Sequence, residues 1–183
     1  MGIVVFNNIS SKDLGVEVET FPTYEVPERV YQVISVPGRN GDIIIDTGTY
    51  RNVPRTYEVS IATYDRVPYN IKMGKVAEWL RSASGYAILE DSYEPDFYRY
   101  AYYNNAVSIE NLFNEAGKAT LEFICKPQKF YKDGDKPIIF TSAGKIQNRT
   151  DNVALPIINV VKNNTQGTVT IGGYSFTVKA NRS

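Results

Sequence analysis

The chain has 183 residues, 43% of them hydrophobic, with 20 basic and 20 acidic side chains and no histidine. This is room for one full domain and part of a second, with enough apolar content to bury a core, so a disordered chain is excluded. Zero net charge leaves no overall electrostatic footprint for gripping DNA or an anionic membrane. Without imidazole there is no Ser-His or Cys-His nucleophile pair and no His-ligated zinc, so an enzyme would have to work with carboxylates, tyrosine or lysine.

The single cysteine, Cys125, excludes an internal disulfide framework. It alternates inward with Ala119, Leu121 and Phe123 and reads as a small buried hydrophobe. The N-terminus has no charged region ahead of a long apolar core, so no secretory signal is expected. No stretch approaches the roughly 18 apolar residues that span a bilayer. Phe6 stands where a myristoylation signal needs Ser or Thr, and Asn-x-Ser/Thr triplets such as those at Asn8, Asn148 and Asn163 matter only in a secreted chain.

In chain order, Ile3 to Phe6 is a short apolar run, Asn7 to Leu14 a polar turn, and Val16 to Thr20 a strand leading to Pro22 and Pro27. Proline cannot complete a ladder, so this opening is expected to be an arm or edge element. Strands over 29–36 and 42–46 flank Pro37-Gly38-Arg39-Asn40-Gly41-Asp42. Pro37-Gly38 predicts a type II turn and Asn40-Gly41 a type I′ turn, together a stiff corner. Thr47-Gly48-Thr49 should break the pattern. From Val53 to Ala62, Val53, Tyr57, Val59 and Ile61 alternate with Thr56, Glu58 and Ser60, as in a half-buried antiparallel strand.

One helix is expected over 71–83, capped by Asn70 and stopped by Gly85, with Met73, Val76, Ala77 and Leu80 at helical spacing. Trp79 beside that stripe should anchor the helix on a sheet. Residues 87–89 form a short strand. The acidic run Glu90-Asp91-Ser92-Tyr93-Glu94-Pro95-Asp96 lacks EF-hand spacing, and a solvated loop is expected there, not a metal site. Tyr98, Tyr100 and Tyr102, with Tyr103, crowd the next strand, which suits a sheet face, a subunit contact or, as the alternative, carbohydrate stacking. A hairpin pairs 107–113 with 118–125, with Gly117 placed to take positive φ. The polar, proline-framed stretch that follows, rich in lysine, reads as a linker. Beyond it, strands are expected over 138–141, 155–161, 168–171 and 174–179, the last two joined at Gly172-Gly173.

Taken in order, these residues resemble the distal tail protein (Dit) family of tailed bacteriophages, especially those with long non-contractile tails that infect Gram-positive hosts. The resemblance runs from Phe6 through Val16, the Pro27-Glu28-Arg29 entry, the Pro37, Gly38, Arg39, Gly41 and Asp42 corner, Gly48-Thr49-Tyr50, and Glu78-Trp79-Leu80. It ends on the Gly117-Lys118-Ala119 hairpin with Cys125-Lys126-Pro127. It implies a mainly β fold: residues 1–127 as a sandwich-like or split-barrel-like ring-forming domain with one α-helix, 128–137 as a linker, and 138–183 as the start of a galectin-like β-sandwich. It further implies a structural protein without enzymatic activity, cofactor or metal. Family members form a hexameric ring at the tail tip, assembled in the host cytoplasm, that meets the tail-tube and tape-measure proteins on one side and a baseplate or fibre protein on the other. DNA passes through the lumen without specific binding. On this reading the corner residues, Trp79, Leu80 and Gly117 hold the fold, and Tyr98, Tyr100 and Tyr102 are interface candidates. A carbohydrate-binding or host-adhesion module is the alternative function, and a carboxylate-based cell-wall hydrolase using the acidic loop a third.

Overall fold

The longest strand of the molecule, β10 (Ala116–Tyr131), is the spine on which the first structural unit is assembled. The structure is a computed structural model and describes residues 2–62, 67–105, 109–112, 116–150, 156–161 and 166–178. The chain divides into two compact units, residues 1–137 and 138–183.

In the first unit, β1 (Val4–Phe6), β2 (Ile9–Ser10), β3 (Val16–Val18), β6 (Val53–Ala62), β7 (Ala87–Asp91), β8 (Phe97–Tyr103), β9 (Ile109–Leu112) and β10 form one antiparallel sheet. Its order is β2-β1-β7-β8-β10-β6-β3, with β9 also on β10. The sheet curls so that β3 reaches the stretch ahead of β1: Gly2 N–H donates to Val18 O at 3.0 Å and Val18 N–H to Gly2 O at 3.1 Å. This single bridge joins β3 back to the residue stretch ahead of β1, and the curled sheet forms a half-barrel wall. Gly2 is needed at that seam, since a Cβ there would lie 2.6 Å from ring carbons of Tyr93. The opening expected to be an arm or edge element is no free arm: β1 is paired with β7 as well as β2, while β2 and β3 take the two ends of the strand order. A bridge between residues so far apart in sequence as Gly2 and Val18 leaves no local pattern.

Asn7 and Asn8 both take positive φ, 51° and 64°, the geometry of a two-residue I′ connection between β1 and β2. A 3-10 turn at Ser11–Leu14 follows, ended by left-handed Gly15. Ser11 is fully buried and its Oγ accepts the Val4 N–H at 3.2 Å. Ser11→Ala would strand that donor inside the wall, so urea unfolding should show a loss of about 1–3 kcal/mol.

Alternation on β6 and β10 sends Tyr57, Val59, Ile61, Ala119, Leu121, Phe123 and Cys125 inward. The rings of Phe6, Tyr57, Trp79 and Tyr103 surround Phe123 with centroids 5.0, 6.0, 6.5 and 5.3 Å away. Cys125 is buried, and burial raises its thiol pKa to about 11.

The helix α1 (Tyr69–Leu80) packs Val76, Trp79 and Leu80 into this core. Trp79 donates its Nε1–H to Phe6 O at 3.2 Å, so both the anchoring Trp79 and its neighbour Leu80 are part of the core itself. The helix begins at Tyr69, with Pro68 and not Asn70 in the N-cap position and no side-chain cap hydrogen bond, and its C-cap is Arg81, ahead of Gly85. Asn7 Nδ2 holds the far end by donating to Ser82 O and Oγ, each at 3.2 Å.

Two further boundaries differ from expectation. Residues 128–131, read as linker, are the end of β10, which passes Pro127 through a register shift between Cys125 and Lys129. A bulge tolerates the residue that cannot donate to the ladder. Gly117 lies within β10, paired with Ile61 and Asn111, and not at a turn. The tip of that hairpin lies outside the described residues.

In the second unit, β11 (Gly167–Ile171) and β12 (Tyr174–Val178) form a hairpin whose Gly172 and Gly173 take φ of 58° and 88°. The strands expected over 138–141 and 156–161 are irregular in the structure, while Leu155 and Lys179 lie outside the described residues.

Candidate assembly surface

The hairpin of β4 (Arg29–Ile34) and β5 (Ile43–Tyr50) is a separate two-stranded sheet. Its register sets Val33 opposite Ile44 and Ile34 opposite Ile43. Tyr31, Val33, Ile44 and Ile45 are exposed, 50, 59, 65 and 45% respectively. A lone two-stranded ribbon showing apolar side chains and two open strand edges is unstable in water unless something covers it. Pro37-Gly38 makes the predicted type II turn, with Gly38 at φ 80° and Arg39 N–H donating to Val36 O at 3.2 Å. The second turn is not type I′: only Gly41, at φ 81°, is left-handed, and Asn40 is not. Arg39 and Asp42 are exposed at the tip.

Thr47-Gly48-Thr49 continues β5 instead of ending it. Gly48 takes φ 72°, and Asp46 Oδ1 accepts its N–H at 2.9 Å beside a register shift, so the three residues form a bulge. Asp46 also pairs with Arg29 at 2.5 Å, fixing the base of the hairpin.

The outer face of β8 and β10 carries the tyrosines. Tyr98 stacks on Phe130 with centroids 5.4 Å apart and meets Tyr100 edge-on at 5.7 Å, while Tyr102 meets Tyr86 at 5.2 Å. Lys126 Nζ lies 4.8 Å from the Tyr86 ring centre and 5.2 Å from that of Tyr100. The structure thus brings Tyr98, Tyr100 and Tyr102 together on one aromatic strip, half-buried against its own members. Burial, then Tyr100 and Asp135, push the Tyr98 hydroxyl up to about 12.

The acidic stretch is not a solvated loop. Asp91 and Arg55 form an ion pair at 2.8 Å with side chains only 6% exposed. Asp91 also accepts from Tyr57 OH at 2.8 Å and from the N–H groups of Tyr93 and Glu94 at 2.9 Å. Glu94 pairs with Lys129, Arg99 and Arg55 at 2.6, 2.7 and 3.3 Å. Burial opposes the charge on Arg55, but Tyr57 and Asp91 outweigh it and hold its pKa above the ordinary value. Burial likewise drives Tyr57 well above its usual pKa, reinforced by Asp91. Phe21 packs on Tyr93 with ring centres 4.5 Å apart, and Lys129 lies over Tyr24, so residues leading to the hairpin rest on this cluster.

Burial alone would raise Glu94, yet hydrogen bonds from Lys129 and Arg99 hold it below the ordinary carboxylate range. A carboxylate depressed in the folded state stabilises fully above its unfolded pKa and loses that contribution as pH falls through the folded one. Thermal melts of the native protein should therefore fall on acidification below the ordinary carboxylate range, and Glu94→Gln should flatten that part of the profile.

Among the described residues no group of three His, Cys, Asp or Glu side chains is placed to hold a metal. No helix among them is long and apolar enough to cross a membrane.

A curled antiparallel sheet, a packed helix, an exposed apolar hairpin and a buried ion-pair cluster define a mainly β domain. The family model for the phage tail protein RIFT-related domain matches residues 10–125, and the chain belongs to that family. The chain is a structural component of a phage tail. It shares its fold with the Dit protein of phage SPP1, whose structure is described as a paradigm of the hub adsorption apparatus in phages that infect Gram-positive bacteria. That match has a TM-score of 0.58 at 15% identity and covers 72% of this chain and 52% of the other, so the chain spans about half the length of that protein. No curated protein matches the chain by sequence.

Proposed function

We propose that the chain is a distal tail protein that forms a hexameric ring at the tail tip, joining the tail-tube and tape-measure proteins to a baseplate or fibre protein and leaving a channel for DNA. It acts in the virion without enzymatic activity, after assembly in the host cytoplasm. The observation that carries this reading is the β4–β5 hairpin, an apolar ribbon that joins no other strand among the described residues and leaves Tyr31, Val33, Ile44 and Ile45 exposed. Seated on a neighbouring copy, it makes a head-to-tail contact, and such contacts close into a ring when their rotation divides a full turn. The Tyr98, Tyr100 and Tyr102 strip is the second assembly surface, in keeping with the enrichment of tyrosine at interfaces. Zero net charge suits a conduit, since phosphate contacts strong enough to bind would retard DNA in transit.

Negative-stain imaging of the purified chain tests the architecture. Six-fold rings with an open centre are expected, and particles without a central opening would overturn the conduit reading.

A further inference from the structure

We infer that Asn40 is a site of spontaneous deamidation, through which the tip of the β4–β5 hairpin gains a negative charge. The step needs the backbone nitrogen of residue 41 to reach the side-chain carbonyl carbon of Asn40, and the structure leaves both groups free. Gly41 has no side chain to shield its nitrogen, and a Cβ built there would meet nothing within 4 Å. Both residues are exposed, and among the described residues neither the Gly41 N–H nor the Asn40 amide makes a hydrogen bond. The corner's second turn is open, lacking the paired left-handed geometry that would fix both residues.

The chemistry balances with water alone. The Gly41 nitrogen, deprotonated by hydroxide, attacks Asn40 Cγ, and ammonia leaves as a five-membered succinimide closes. Water then adds to either ring carbonyl. Opening at one gives aspartate; opening at the other gives isoaspartate, whose main chain runs through the former side-chain carbon. Nothing is oxidised or reduced. The tip, which carries Arg39 and Asp42, passes from zero to minus one, a charge change that acts through the same electrostatics as other modifications.

The rest of the molecule provides controls. The amide of Asn52 donates to Tyr86 Oη at 2.6 Å, and its next residue is the β-branched Val53. The amide of Asn7 is held by Ser82. Asp133-Gly134 has the same glycine neighbour and could form the same ring, but the Gly134 N–H is engaged, donating to Tyr131 O at 2.9 Å. This chemistry belongs to the exposed corner of the unassembled chain, so incubation is run at concentrations below those at which rings form, and its outcome does not depend on the ring proposal.

The test is timed incubation of the whole chain at neutral and mildly alkaline pH, followed by peptide mass mapping, isoaspartate labelling by a carboxyl methyltransferase and ion exchange. The peptide holding Asn40 should gain acid mass at least several-fold faster than those holding Asn7 or Asn52, and isoaspartate at least several-fold faster than the one holding Asp133. Its rate should rise with pH, and a more acidic species should grow in step. Asn40→Gln should suppress that species without changing the melt. Conversion at Asn40 no faster than at Asn52, or an acidic species that persists in N40Q, would overturn the inference.

Discussion

Replacing Asp91 with alanine is expected to lower the unfolding free energy by about 3–5 kcal/mol, because it leaves a buried cation without its principal partner. Arg55 and Asp91 are each 6% exposed, and Asp91 also collects the Tyr57 hydroxyl and two backbone N–H groups. The residual 3.3 Å contact between Arg55 and Glu94 places the result toward the lower end of that range. Asp91→Asn retains the shape and an acceptor and should cost less. The pair Arg55→Met with Asp91→Leu removes both charges and should recover most of the loss, since a buried ion pair contributes little over well-packed apolar groups. Denaturant titrations with an unchanged slope would check all of these. A loss within about 1 kcal/mol for the alanine variant, the size of an exposed pair, would contradict the buried-cluster account.

Val33 and Ile44 face each other across the β4–β5 hairpin and are 59 and 65% exposed. Changing both to threonine keeps the β-branched shape and strand preference while removing apolar surface. Stability should stay within about 0.5 kcal/mol, as for other surface changes. Assembly should weaken by roughly thirtyfold if each is an interface hot spot of even about 1 kcal/mol, judged from the concentration at which rings dissociate. A variant that assembles like the native chain would remove the hairpin from the subunit contact.

The sequence was most readable where one or two residues decide the local geometry. Pro37-Gly38 and Gly172-Gly173 predict turns that form, because fixed and positive φ belong to those residues themselves. The inward face of β6 and β10 follows from strict alternation. The same alternation puts Arg55 between Val53 and Tyr57, on the buried side. A lone arginine at an inward position calls for an acidic partner, which Asp91 supplies from within a run whose four carboxylates otherwise read as solvated.

Other features depend on contacts remote in sequence. The seam between Gly2 and Val18 ties an apparent arm into the wall. The bulges at Gly48 and Pro127 let strands continue through residues that normally end them. Asn70 has the chemistry of a cap, yet Pro68 occupies the position first. The tyrosine strip was legible as a face, while its internal stacking on Phe130 and Lys126 required the β8–β10 register.

Solution mass, measured by light scattering behind a sizing column over a tenfold range of protein concentration, tests the central claim most directly. The account predicts a mass of six subunits, or of two such rings stacked, that falls apart only at the dilute end. A mass of one subunit across the whole range would contradict it.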